Sequence, residues 1–287
     1  VQIYLPIAEM PINVLLVLFM GLAVGFISGM FGIGGGFLMT PLLIFIGIAP
    51  AVAVASVASH VAASSFSGAI NYWRRRALDP ALALMLILAG LVGTTAGVML
   101  FTLLRRLGQL DLTIAIMRAR GGRPAEVRRP GSHLWIHGLP LKMRFKVSKI
   151  YVSVIPIWVI GFVIGFIGAV MGIGGGFMLV PALIYLIRVP TGVVIGTSMV
   201  LTLVTMAYAT IVHAATNHLV DALLALILMI GGVIGAQFGA RTGQRFSGEQ
   251  LRLLLGILVL LVGLRFAYDL VVQPADLYTV RAVEEQS

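Results

Sequence analysis

The chain has 287 residues, of which 60% are hydrophobic and 10% charged, and its mean hydropathy is +1.07. Soluble domains average about 45–50% apolar and about 25% charged residues, so a soluble fold is excluded and a polytopic membrane protein is expected. Cysteine is absent, which removes disulfides, thiolate chemistry and cysteine metal sites. The net charge of +10 sits mostly in short loops between apolar segments, the bias of cytoplasmic loops, and no nucleic-acid partner is expected.

In chain order the first half reads as a helix over 12–31, a glycine break, a short apolar segment over 36–48, a helix over 50–72, the basic stop Arg74-Arg75-Arg76 and a helix over 81–104. The second half reads as a helix over 151–171, a second break, a segment over 177–187, and helices over 190–213, 222–240 and 251–270. Apolar runs of about 20 residues are long enough to cross a bilayer. Pro50 and Pro190 each open a helix, where a missing N–H costs little. The opening Val-Gln-Ile carries no basic stretch, so no cleavable signal peptide is expected.

The halves resemble each other. MFGIGGGFLMTP at 30–41 returns as VMGIGGGFMLVP at 170–181, a shift of 140 positions, and GLVGTTAG at 90–97 matches GVIGAQFG at 232–239 in glycine spacing. The expected fold is therefore all-α: a polytopic membrane helix bundle of two inverted repeats, each with a glycine-broken helix. The boundaries are a first membrane repeat over 1–117, a basic cytoplasmic loop over 118–150, a second repeat over 151–272 and a C-terminal tail over 273–287. The last helix of the first repeat looks shortened, because LDLTIAI after Gln109 gives way to MRARGGRPAEVRR. If five segments cross in each half with the N-terminus outside, Arg74–Arg76, the central loop, Arg188 and the Arg241/Arg245/Arg252 group share one side. That satisfies the positive-inside rule, and an odd number of crossings inverts the halves.

The two glycine runs, Gly34, Gly35, Gly36 and Gly174, Gly175, Gly176, are the first candidates for a binding site. Three consecutive glycines unwind a helix, and irregular backbone at membrane depth persists only where it is buried in protein or lines a polar cavity. Freed N–H groups at the start of the following helix attract anions without a charged side chain. No Lys-Ser/Thr follows the glycines, so a nucleotide loop is excluded. Ser56, Ser59, Thr197 and Ser198 add hydroxyl donors on the helices after the breaks, and His60 is the one titratable group deep in an expected crossing.

Every acid falls at an expected helix end or in a loop: Glu9, Asp79, Asp111, Glu126, Asp221, Glu249, Asp269, Asp276, Glu284 and Glu285. Cation coupling commonly uses intramembrane carboxylates. Anion export needs none, since an interior-negative potential favours it by about 2.3 kcal/mol per charge per 100 mV. His213, Asn217, His218 and Asp221 read as a solvated loop, and no metal site or cofactor is expected. The glycine faces at Gly231-Gly232, Gly235 and Gly239 allow close helix contacts, either within the chain or in a homodimer.

With these residues in view, FGIGGGFLMTPLL and MGIGGGFMLVPALIYL, each followed by a helix carrying Ala-Ser or Gly-Thr-Ser, resemble the sulfite exporter TauE/SafE family of membrane permeases. RPGSHLWIHGLPLKMRF at 129–145 resembles the central loop of one bacterial subgroup. The resemblance implies a multi-pass protein of the cell inner membrane that exports sulfite or a small organosulfur anion such as sulfoacetate. By motif position the glycine runs would be the binding breaks, with Ser56 and Thr197-Ser198 beside them. Where relatives often carry amide side chains, this chain has Ser59 and His60. Two other functions are weighed: a passive anion channel on the same scaffold, and an intramembrane enzyme. Ser59 and His60 are adjacent, hence about 100° apart on a helix, and no membrane-embedded acid is available to orient the imidazole, so a non-enzyme is expected.

Overall fold

A computed structural model describes residues 2–106, 142–145, 147–148, 150–247, 249–251 and the separate positions 253, 254, 256, 257, 260 and 264. The expected shortened helix after Gln109, most of the basic loop and the tail lie outside the described residues, as does most of the expected helix over 251–270. Each half opens on a short antiparallel hairpin: β1 (Gln2–Leu5) with β2 (Met10–Asn13), and β3 (Lys142–Phe145) with β4 (Ile150–Ser153). Four helices with described bounds follow each hairpin, and the second half resumes a helix at 249–251. In the first half they are α1 (Val14–Phe31), α2 (Gly36–Phe45), α3 (Pro50–Arg74) and α4 (Pro80–Arg106). In the second they are α5 (Val154–Met171), α6 (Gly176–Tyr185), α7 (Thr191–Asn217) and α8 (Ala222–Gly243).

Six of these helices are long and apolar enough to cross a membrane; α2 and α6 are shorter. Their bounds follow local chemistry. Asn13 and Ser153 cap α1 and α5 by accepting from the N–H groups of Leu15 and Ile155, at 3.0 and 3.2 Å, which satisfies donors a helix start leaves open. Among the described residues the hairpins are the one departure from an all-α reading. Residues 142–145 and 150–153, which the sequence suggests as the end of a loop and the start of a helix, pair as strands instead.

A remote carboxylate explains the hairpins. Asp221 caps α8 through Oδ1, accepting from Leu223 and Leu224 N–H at 3.1 Å each, while its Oδ2 accepts from Ile7 N–H at 3.0 Å in the β1–β2 turn. Asp79 plays the matching part before α4. Its Oδ1 accepts from Leu82 N–H at 3.3 Å, and its Oδ2 accepts from the N–H and hydroxyl of Ser148 in the β3–β4 turn, at 2.9 and 2.7 Å. Both carboxylates are buried, and each is satisfied by backbone donors, as a buried charge requires. Each turn thus docks on a helix of the other half.

The helices exchange partners in the same way. α1 packs on α8 and α4 on α5, while α3 and α7 pack on each other at the centre. Small residues permit the close approach. A Cβ at Gly21 would lie 2.9 Å from the Leu228 carbonyl oxygen, and one at Gly97 would lie 2.5 Å from that of Phe166. Gly25 meets Gly232 and Gly29 meets Ala236, so α1 and α8 advance together and run parallel. The glycine face of α8 is therefore spent on α1 of the same chain. The outward faces are apolar, with Phe19, Val159 and Phe238 at 70%, 56% and 58% exposure, as lipid contact demands.

Candidate functional site

Each break follows a helix that ends on a left-handed glycine, Gly32 for α1 and Gly172 for α5. Gly34, Gly35, Gly174 and Gly175 also have positive φ, at +79°, +70°, +76° and +65°, a region that favours glycine strongly over residues with a Cβ. The chain then re-enters a helix, with Leu38 and Met39 N–H returning to the Gly35 oxygen at 3.1 Å, and Met178 and Leu179 doing the same to Gly175. The N–H groups of Gly36, Phe37, Gly176 and Phe177 lie in first turns, where no intrahelical acceptor exists.

The two breaks meet. A Cβ at Gly36 would lie 2.8 Å from the Ile173 carbonyl carbon, and one at Gly176 would lie 2.6 Å from that of Ile33. Backbone therefore touches backbone reciprocally, and Phe37 and Phe177 stack with ring centroids 5.5 Å apart. Val61 of α3 and Thr202 of α7 wedge against both breaks: a Cβ at Gly34 would lie 3.1 and 2.9 Å from their methyl carbons, and one at Gly174 2.7 and 3.1 Å.

The hydroxyls named from sequence divide into groups. Ser198 lies at the break, its hydroxyl donating to the Gly32 oxygen at 2.8 Å. Ser56 and Thr197 lie at opposite ends of the central helix pair, where their oxygens accept from Asp221 N–H at 3.1 Å and Asp79 N–H at 3.4 Å. Ser59 bonds back to the Ser56 carbonyl at 2.6 Å. His60 faces α8, its Nδ1 lying 2.7 Å from the Leu228 oxygen, an acceptor that requires the proton on Nδ1. Gly232 leaves room for the ring.

Three further hydroxyls gather at the breaks. Thr40 donates to the oxygens of Gly36 and Gly172, at 3.0 and 3.4 Å, and so bridges the halves. Thr202 donates to the Gly174 oxygen at 3.2 Å. Ser28 is fully buried on α1 with no partner for its hydroxyl among the described residues, and its Cβ would lie 3.1 Å from a Cβ on Gly35. Ser28 is the lone polar side chain in the α1 sequence, a signal available without coordinates.

The group His213, Asn217 and Asp221 is buried, which corrects its reading as a solvated loop. His213 bridges Asn217 Nδ2 and the Ala169 oxygen, at 3.2 and 3.3 Å, and Arg105 donates to the Asn217 oxygen at 2.8 Å. These contacts tie the ends of α4, α5 and α7 together.

Apolar crossing helices packed around two apposed backbone breaks define a multi-pass membrane transporter. Residues 17–266 match the sulfite exporter TauE/SafE family, and the chain belongs to that family. It is 31% identical over 253 residues to a probable membrane transporter protein of Xylella fastidiosa, covering 84% of this chain and 90% of the relative. It is 27% identical over 260 residues to the probable membrane transporter protein YjnA of Bacillus subtilis, covering 87% and 98%. A 60-residue stretch is 48% identical to sulfite exporter TauE/SafE family protein 1 of Arabidopsis thaliana, covering 21% of this chain and 13% of that protein. No solved structure matches the chain.

Proposed function

We propose that this transporter exports sulfite or a small organosulfur anion such as sulfoacetate across the cell inner membrane. The anion would be held where the two breaks meet, by first-turn N–H groups and by the Ser28 hydroxyl, which has no partner among the described residues, while Ser198, Thr40 and Thr202 brace the carbonyls around it. The reciprocal apposition of Gly32–Gly36 with Gly172–Gly176 carries this reading. Helix starts brought together inside the protein favour an anion without the cost of a buried cation. The two buried carboxylates among the described residues agree with it, because Asp79 and Asp221 are committed to helix caps.

In this reading the halves are inverted across the membrane, and export proceeds as one rocks against the other around the breaks. The antiparallel arrangement of α3 and α7 supports it. Ser56, early in α3, bonds Asp221 just beyond α7, and Thr197, early in α7, bonds Asp79 just beyond α3. Proteoliposomes provide the test. Wild type should show saturable sulfite flux with counter-exchange, and Gly35→Leu should abolish it. Equal flux in both would remove the breaks from the site, and flux that never saturates would make the protein a channel.

A further inference from the structure

The C-terminal turns of α3 and α8 border an open pocket of about 270 Å³, lined by other residues than the breaks. Arg74 lines it from α3 and Arg241 from α8, together with Asn71 and Gln237. Ser67 closes the floor by donating to the Val233 oxygen at 3.2 Å. Neither guanidinium is paired with a carboxylate among the described residues. Arginine at a helix C-terminus has a bland role in complementing the helix dipole, but that role does not require two of them to line one cavity.

The repeat supplies an internal control. On the equivalent face of α4 and α7, Ala215 and Met99 stand where the arginines would be. Tyr208 stands in place of Ser67 and Thr95 in place of Gln237, and their hydroxyls meet at 3.1 Å. These four positions carry no charge, and the nearby Arg105 is committed to the Asn217 carbonyl oxygen at 2.8 Å, so the pair of unpaired arginines lining one pocket is a property of one face of the molecule and not of the repeat.

We propose that this pocket binds a tetrahedral oxyanion group, phosphate or sulfonate, between Arg74 and Arg241. Guanidinium forks match such groups in bidentate geometry. The group can arrive on an anionic phospholipid or as a free anion. Phe66 and Ile70, 53% and 37% exposed on the pocket wall, favour the lipid, since they would lie along its acyl chains. The inference does not rest on the assignment of the breaks.

The full-length chain in phosphatidylcholine nanodiscs separates the sources. Phosphatidylglycerol is added in one arm, with retention read by native mass spectrometry, and sodium sulfate in the other, with binding read by thermal shift. Wild type should bind in at least one arm. R74Q/R241Q should bind about 30-fold more weakly, given about fivefold per arginine near an anionic headgroup, while R75Q/R76Q should match wild type. Retention of phosphatidylglycerol alone identifies a headgroup site, and an arginine-dependent sulfate shift identifies a site for free anions. The proposal fails if neither probe binds, if R74Q/R241Q binds like wild type, or if R75Q/R76Q loses as much. Should R74Q/R241Q not fold, R74K/R241K retains the charge but loses the forks, and unchanged affinity in that variant would equally overturn the bidentate assignment.

Discussion

Gly35 concentrates the demands made on single residues. Its φ of +70° and the nearness of Val24 Cγ1, 2.8 Å from where a Cβ would sit, both oppose a side chain. Gly35→Ala is expected to cost about 1–2 kcal/mol from the left-handed backbone alone, to lower the thermal midpoint, and to remove most sulfite flux in proteoliposomes. Gly192 is the matched control, because a Cβ there meets nothing within 4 Å and it lies in the first turn of α7. Gly192→Ala should leave flux intact and hold or slightly raise the midpoint. The glycine runs were legible in sequence because three consecutive glycines in an apolar stretch have few other uses. The roles of the neighbouring hydroxyls were not, since spacing along a helix does not reveal which carbonyl a serine meets. Ser198 reaches Gly32, whereas Ser56 and Thr197 serve the backbone of Asp221 and Asp79.

At the scale of elements, each hairpin is held by an aspartate from the other half. Asp221 is fully buried and holds donors in both α8 and the β1–β2 turn. Asp221→Ala removes the cap and leaves buried N–H groups unpaired, a loss of about 2–3 kcal/mol. The expected result is a lower unfolding midpoint in detergent and faster proteolysis between Leu5 and Met10, with wild-type cleavage there sinking the docking role. The helices α1, α3, α4 and α8 were legible to within a few residues from apolar length, proline at the start and basic residues at the end. The hairpins were not. Strands of four residues carry too little pattern, and the carboxylate that fixes the first turn is more than two hundred positions away in sequence, with |i−j| = 214.

For the molecule as a whole, the exchange of α1 and α5 between halves means that neither half closes its own interface. The ends of α3 and α8 lie together at the arginine pocket, and the ends of α4 and α7 lie together through Arg105 and Asn217. The absence of cysteine allows single cysteines to be placed without background. Arg75→Cys and Arg245→Cys should react with an impermeant maleimide from one side of the membrane, and Arg106→Cys and Ala215→Cys from the other. Labelling of all four from one side would rule out the inverted arrangement.

By itself the sequence determined that this is a membrane protein, that it repeats at a shift of 140, and where its helices break. Hydrophobic length, glycine runs and proline positions are local properties, and local physics acts the same way in any context. Only the tertiary structure decided that the breaks touch, that aspartates from one half secure hairpins of the other, and that Arg74 and Arg241 share a pocket. Those facts depend on which faces of distant helices come together, and close packing through small residues sets that choice only once both helices are present.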